Sequence, residues 1–195
     1  MGAERYLTVL GIDPGFSSIG YAVARLEAES EIFVDVGVFH TTKVDKKRGV
    51  RASDDNVLRA REIYTKFEEI LTRNNNNVVA ITAETMSFPR NSSIAAKMAM
   101  CWGVIAAIAE RHKLPIVQAS PKEIKKVLTG DGGASKEDVA KELMRRYEGQ
   151  FADFFATANR GDLEHGFDAA ATVVAGLPSE TLQMARHIRW SKGPG

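Results

Sequence analysis

Two apolar runs of this chain end in a carboxylate. "TVLGID" closes on Asp13 and is broken at once by Pro14 and Gly15, and "VVAITAE" closes on Glu84. Far downstream, "HGFDAAATVVAGL" places His165 and Asp168 three residues apart, so a helix there projects both side chains from one face. If the two apolar runs are parallel neighbours in one sheet, Asp13 and Glu84 emerge side by side at the strand ends, where open α/β sheets build their sites. Two carboxylates about 4 Å apart repel by roughly 4 kcal/mol at an effective dielectric of about 20, a large part of a domain's stability. Such a cluster calls for a cation. Oxygen donors with one imidazole suit Mg²⁺ or Mn²⁺ better than zinc, and a pair of hard cations is a standard device for hydrolysing a phosphodiester. His165 then serves as a neutral ligand or as a proton shuttle. Singly, each residue has a plainer role: turn former, strand-end acid, helix acid or satisfied core histidine. Their joint placement is what points to chemistry.

The elements that must bring these residues together follow from periodicity. Residues 6–12, 19–26 and 32–40 read as three strands of an antiparallel meander. Ser53 is placed to cap a helix whose Val57, Ala60, Tyr64, Phe67 and Leu71 form one apolar face. The Glu84 strand is apolar on both faces, hence interior and parallel to the first. Ser92 or Ser93 is placed to cap a long helix reaching about His112, apolar nearly all round from Met98 to Ala109. Its surplus apolar surface must be covered either by a second copy of the chain or inside the monomer. "LPIVQAS" reads as a short strand, followed by a helix from Pro121 to about Leu128. Ser135 and Asp138 make a capping box for a helix through Tyr147. The last helix opens near His165, which places His165 and Asp168 in its first turn, and residues 178–195 read as a loose tail.

Composition narrows the class. At 195 residues, 44% of them apolar and 26% charged, the chain has the makeup of one globular α/β domain. No segment reads as a membrane span, and "MGAERYLTVL" lacks the features of an export signal. The single cysteine, Cys101, lies in the apolar stretch "KMAMCWGVIAAIA" and reads as a small buried hydrophobe of a protein in the reducing cytoplasm. A net charge of +1 disfavours a uniformly DNA-coating surface but permits local basic faces, around Lys43–Arg51, Lys122–Lys141 with Arg145 and Arg146, and Arg186–Lys192.

Four segments in this order, "GIDPGFSSIGYAV", "AETMSFPRNSSIAAKMAMCWGV", "SPKEIKKVLTGDGGASKEDV" and "HGFDAAATVVA", resemble the RuvC family of Holliday junction resolvases, members of the RNase H-like, retroviral-integrase superfamily. The resemblance spans roughly residues 7–177 and implies an α/β fold, a mixed five-stranded sheet flanked by helices, with a nuclease domain over residues 1–177. It implies that Asp13, Glu84 and Asp168 ligate two Mg²⁺ ions, replaceable by Mn²⁺, and that His165 stands where some members carry Asp and others His. Lys125 and Lys136 match family lysines beside the scissile strand, with Lys122 and Lys126 as neighbours able to substitute. Phe88 is the candidate for the aromatic that stacks on a junction base. The implied activity is paired nicking of four-way junction DNA by a homodimer, leaving 5′-phosphate and 3′-hydroxyl ends, in partnership with a branch-migration helicase. Rival readings are a superfamily nuclease of broader branched-substrate range, an actin-like ATPase using Asp13 and its glycines for nucleotide phosphates, and a non-catalytic junction binder.

Overall fold

The computed structural model describes residues 6–44, 49, 51–74, 77–86 and 89–191. The chain runs β1 (Leu7–Asp13), β2 (Ser18–Leu26), β3 (Glu31–His40), α1 (Ala52–Arg73), β4 (Val78–Glu84), α2 (Ser92–His112), β5 (Ile116–Ala119), α3 (Pro121–Thr129), α4 (Lys136–Arg146), α5 (Ala152–Thr157), α6 (Arg160–Gly176) and α7 (Glu180–Ser191). The strands form one mixed sheet in the order β3-β2-β1-β4-β5. The first three are antiparallel, and β4 and β5 run parallel to β1. This is the mixed five-stranded sheet flanked by helices that the family resemblance implies.

Strand alternation divides the sheet into two cores. Leu10, Ile12, Ile19, Val23, Ile81 and Ala83 face α1 and α2, where they meet Ile63, Phe67, Cys101 and Ile105. Val9, Ala22, Ala24 and Ala80 face α6. On that second face the approach is unusually close. A Cβ on Gly11 would lie 2.4 Å from the Ala169 carbonyl oxygen, and one on Gly20 would lie 2.1 Å from that of His165. Helix α6 answers with small residues of its own: Ala169, Ala170, Ala171 and Gly176 are buried. Its far side is covered by an aromatic cluster in which Phe167 meets Phe151 edge-on at 5.5 Å and Phe154 at 6.3 Å. Part of that cluster comes from α5, a short helix the sequence pattern does not announce.

Several sequence expectations shift. Helix α1 begins at Ala52 with no side-chain cap, so Ser53 lies inside its first turn rather than capping it. Its buried stripe is Asp55, Arg59, Ile63, Phe67, Ile70 and Leu71, while Val57 is exposed. The cause is Arg59, whose guanidinium turns inward to donate to the Phe16 carbonyl, the Ser17 hydroxyl and the Thr41 hydroxyl, and stacks 4.7 Å over the Phe16 ring. Asn91, not Ser92 or Ser93, caps α2 by accepting from the Ile94 amide. The α3 and α4 capping boxes form at Ser120–Glu123 and at Ser135–Asp138.

Helix α6 starts at Arg160 under an Asn159 cap, so His165 and Asp168 lie beyond its first turn and packing, not capping, sets their position. The expected loose tail is also overturned for most of its length: Glu180–Ser191 form α7, Leu182 is fully buried, and Arg186 donates to the Ser30 carbonyl at 2.8 Å.

Helix α2 is not sandwiched in the monomer. Cys101, Ile105, Ile108 and Ala109 face the sheet, and Ala96, Ala99, Gly103, Ala106 and Ala107 face outward. By length and composition alone α2 is apolar enough to cross a bilayer, with a mean hydropathy of 1.6, contrary to the reading that no segment meets that criterion. The reason is the density of Ala, Met and Ile over twenty-one residues, one side of which covers the sheet.

Gly20→Ala should force α6 off the sheet. Overpacking of this kind costs about 1–3 kcal/mol, and a domain of this size loses roughly 2–4 °C of Tm per kcal/mol. An unchanged thermal midpoint by calorimetry would show that α6 is not held at this distance.

Candidate active site

The two-residue alternation of the strands decides which side chains reach α6. In β1 the sequence Val9, Gly11, Asp13 points to that face, and in β4 so does Ala80, Thr82, Glu84. The parallel register pairs Ile12 with Ala83, so the next residue in each strand, Asp13 and Glu84, ends its strand beside the other. On α6 the stripe His165, Asp168, Ala169, Thr172 and Val173 faces back at spacings of three and four. Buried Thr172 anchors the stripe, lying 3.1 Å from the Thr82 hydroxyl. Asp13, Glu84, His165 and Asp168 therefore line one cavity of about 400 Å³, joined by Lys125, Lys136 and Glu164.

Inside the cavity the groups are already paired. His165 Nδ1 lies 2.6 Å from Asp13 Oδ2. A carboxylate only accepts, so Nδ1 carries the proton and the imidazole directs Nε2 elsewhere. Lys136 Nζ, from the first residue of α4, donates to Asp168 Oδ2 at 2.8 Å and to Glu164 Oε1 at 2.7 Å. Glu164 was not foreseen. Its only sequence signal is its place four residues before Asp168 on the same helix face.

The electrostatics show an excess of negative charge. Burial pushes the Glu84 carboxyl up, and the charges of Asp168 and Asp13 push it further. Asp168 is likewise raised, first by burial and then by Asp13 and Glu164, against the pull of Lys136. His165 is raised chiefly by its hydrogen bond to Asp13, which outweighs the cost of burying the cation. Burial works against the Lys136 ammonium, but its bonds to Asp168 and Glu164 prevail and hold its pKa well above the usual lysine range.

The donor set has the chemistry of a hard-cation site: three carboxylates and one imidazole, with two of the carboxylates destabilised as anions. Among the described residues, no three His, Cys, Asp or Glu side chains are gathered closely enough to hold a metal ion as they stand. The pairings explain why. Lys136 holds Asp168 and His165 holds Asp13, each donor serving a carboxylate that otherwise faces other carboxylates.

Of the remaining sequence candidates, Lys125 lines the cavity. Lys122 and Lys126 are exposed and do not line it. Lys126 borders a different groove, between α3 and α4, together with Lys141 and Arg145. Phe88 lies outside the described residues.

A family model described as "Crossover junction endodeoxyribonuclease RuvC" matches residues 9–148. The chain belongs to the RuvC family. Curated relatives of that name include one from Prochlorococcus marinus, 33% identical over 138 residues, covering 71% of this chain and 80% of the relative. Another, from Pseudothermotoga lettingae, is 29% identical over 133 residues, covering 68% and 75%. In fold, the chain is similar to Thermus thermophilus RuvC, with a TM-score of 0.66 at 23% identity over 95% of this chain and 97% of the other. It is also similar to the yeast mitochondrial Holliday junction resolvase, with a TM-score of 0.62 at 18% identity over 94% and 83%. The matched stretch of the RuvC family model ends before α6, so His165 and Asp168 are tied to the site by their geometry.

In metal-free protein, Asp13→Asn should remove the charge that raises His165 and lower the imidazole pKa. Because the folded pKa lies above the unfolded one, the pair stabilises the fold at acid pH, and this contribution fades as pH rises through the folded midpoint. NMR titration of the His165 ring protons measures the shift; an unmoved midpoint would remove Asp13 as its cause.

Proposed function

We propose that this chain is a structure-selective DNA endonuclease that resolves four-way junctions by paired, metal-dependent hydrolysis, leaving 5′-phosphate and 3′-hydroxyl ends. The observation that carries this reading is the convergence of Asp13, Glu84, His165 and Asp168 on one cavity, in a chain of the RuvC family. A relative in fold, at 20% identity and a TM-score of 0.65, is titled Thermus thermophilus RuvC in complex with Holliday junction substrate.

In this reading Asp13, Glu84 and Asp168 hold divalent ions, Mg²⁺ with Mn²⁺ as a substitute, and His165 contributes through Nε2. Bound there, the ions supply an activated water and charge stabilisation at the leaving oxygen. The chain's own residues do the remaining work. Lys136, which pairs with Asp168 here, would cede that carboxylate to a bound ion and hold a phosphate as a point charge. Lys125, on the α3 wall, holds the scissile strand in the same way. The pairing of His165 with Asp13 keeps the imidazole oriented, so that either ligation or proton transfer uses the same nitrogen.

A second copy of the chain completes the activity, because resolution needs two symmetrical cuts. The outward face of α2 supports such a homodimer: Ala96, Ala99, Gly103, Ala106 and Ala107 leave room for close helix approach. A branch-migration helicase as working partner and a cytoplasmic location go with this reading.

The test is cleavage of a labelled synthetic four-way junction. Mg²⁺ should support paired cutting, excess chelator should abolish it, and Asp13→Asn, Glu84→Gln and Asp168→Asn should each reduce it by about a hundred- to a thousandfold, the scale on which loss of a principal electrostatic stabiliser acts, while junction binding persists. Near-normal cutting by any one of them would remove that residue from the catalytic set. Lys125→Ala should lower the slope of log affinity against log salt by about one unit; an unaltered slope would take Lys125 off the phosphates.

A further inference from the structure

The turn that follows Asp13 is held by a side chain outside the carboxylate cavity. Residues 14–17 join β1 to β2, and the turn closes tightly: a Cβ on Gly15 would lie 2.0 Å from the Ser18 carbonyl oxygen. Arg59 reaches it from α1. Its Nη2 donates to the Phe16 carbonyl at 3.2 Å and to the Ser17 hydroxyl at 2.7 Å, and its Nε donates to the Thr41 hydroxyl at 2.7 Å. Thr41, one residue past β3, donates its own hydroxyl to the same Phe16 carbonyl at 2.7 Å and its amide to the Ser17 carbonyl at 3.0 Å. One guanidinium thus ties the turn to a helix and to the end of a second strand.

Arg59 is only 4% exposed, and a cation buried so deeply is costly unless a carboxylate answers it closely. Among the described residues its ion pair, to Asp55, is long at 3.9 Å, and the other Asp55 oxygen accepts from the Val44 amide at 2.8 Å. The short bonds go instead to neutral oxygens on the turn and on Thr41. A core that needed only filling would be served as well by an apolar side chain of this length. What the guanidinium supplies is a rigid planar fork that fixes the oxygens it binds, which an ammonium on a flexible stem does not.

The turn bears directly on the site. On one side Asp13 is held by the β1 ladder, opposite Gly20 of β2; on the other its backbone continues straight into the turn. The charge of Asp13 raises the cost of ionising both Glu84 and Asp168, so these carboxylates repel one another. Metal–ligand distances tolerate only about 0.2 Å. A slack turn would let Asp13 yield to that repulsion and leave the place where a shared ion needs it.

Resting on the nuclease reading above, we propose that Arg59 is a positioning residue for the metal site, whose fork fixes the turn and, through it, the place of the Asp13 carboxylate. It touches neither substrate nor ion and acts through the backbone of residues 14–17.

The experiment reads Mn²⁺ binding to the full chain without DNA, by the free-ion signal in electron paramagnetic resonance, and single-turnover cleavage of a labelled four-way junction at saturating protein. Arg59→Met keeps apolar length without the fork, and Arg59→Lys keeps the charge without the fork. Leu182→Ala, which opens a cavity under α7, is the control for lost stability. All are compared below their thermal midpoints. Arg59→Met and Arg59→Lys should each weaken Mn²⁺ binding by about 10- to 100-fold, the scale on which groups that orient a metal ligand act. Cleavage at low Mg²⁺ should fall by a similar factor and recover as Mg²⁺ is raised, with junction affinity in chelator unchanged; Leu182→Ala should keep wild-type metal binding. Thr41→Val leaves the guanidinium in place and removes the second donor to the Phe16 carbonyl, so it should weaken Mn²⁺ binding in the same direction, and it carries the test if neither Arg59 variant folds. Wild-type Mn²⁺ affinity in Arg59→Met or in Thr41→Val would overturn the proposal. So would restoration by lysine, which would assign the effect to charge, or an equal loss in Leu182→Ala, which would assign it to stability. Because metal binding is read without cutting, a wild type that binds Mn²⁺ and leaves junctions intact would count against the nuclease reading while the Arg59 comparison still decides the positioning role.

Discussion

The site depends on how closely α6 lies against the sheet. Its carbonyl oxygens stand where side chains on Gly11 and Gly20 would otherwise be, and its own inner stripe is largely alanine, threonine and glycine. Larger side chains on either surface would hold the helix away; here the small residues on both surfaces draw it in. His165 consequently reaches Asp13 directly, and Asp168 is carried far enough inward for burial to raise its pKa. The aromatic cluster behind α6 and the Thr82–Thr172 contact at its middle keep it in this register.

That proximity creates an electrostatic problem that the protein answers in part with Lys136. Asp168 and Asp13 raise the cost of ionising Glu84, Asp13 and Glu164 raise that of Asp168, and the Lys136 ammonium offsets part of both. The ammonium between Asp168 and Glu164 marks a place where positive charge is favoured. Read with family membership, the same field that draws in a lysine is the one that would recruit a divalent ion, and the lysine is then at hand for the incoming phosphate.

The two faces of the sheet differ in lining at the strand ends. On the α6 face the polar groups converge; on the α2 face the same strand ends meet Trp102 and two methionines. Helix α2 has three different sides: one covers the sheet core, one borders the carboxylates through Trp102, and one presents small residues outward. Its apolar composition, which suggests a membrane span or a helix buried within the monomer, reflects these separate demands.

Much of this architecture is encoded locally. Period-two alternation, the Ser135 capping box and apolar runs ending in acids depend on residues within a few positions of one another, so the antiparallel meander, the parallel β4 and the donors Asp13, Glu84, His165 and Asp168 are readable from the chain, whereas α5, α7 and the start of α6 are not. The inward turn of Arg59 is different: it breaks the apolar stripe expected of α1 because the carbonyl of Phe16 and the hydroxyls of Ser17 and Thr41 await it from another element. The docking of α7, the pairing of Lys136 with Asp168 and Glu164, and the exclusion of Lys122 and Lys126 from the cavity are likewise outcomes of distance across the fold. Such contacts form between segments many residues apart, and they are set by how closely helices pack on the sheet, a quantity no local pattern of side chains records.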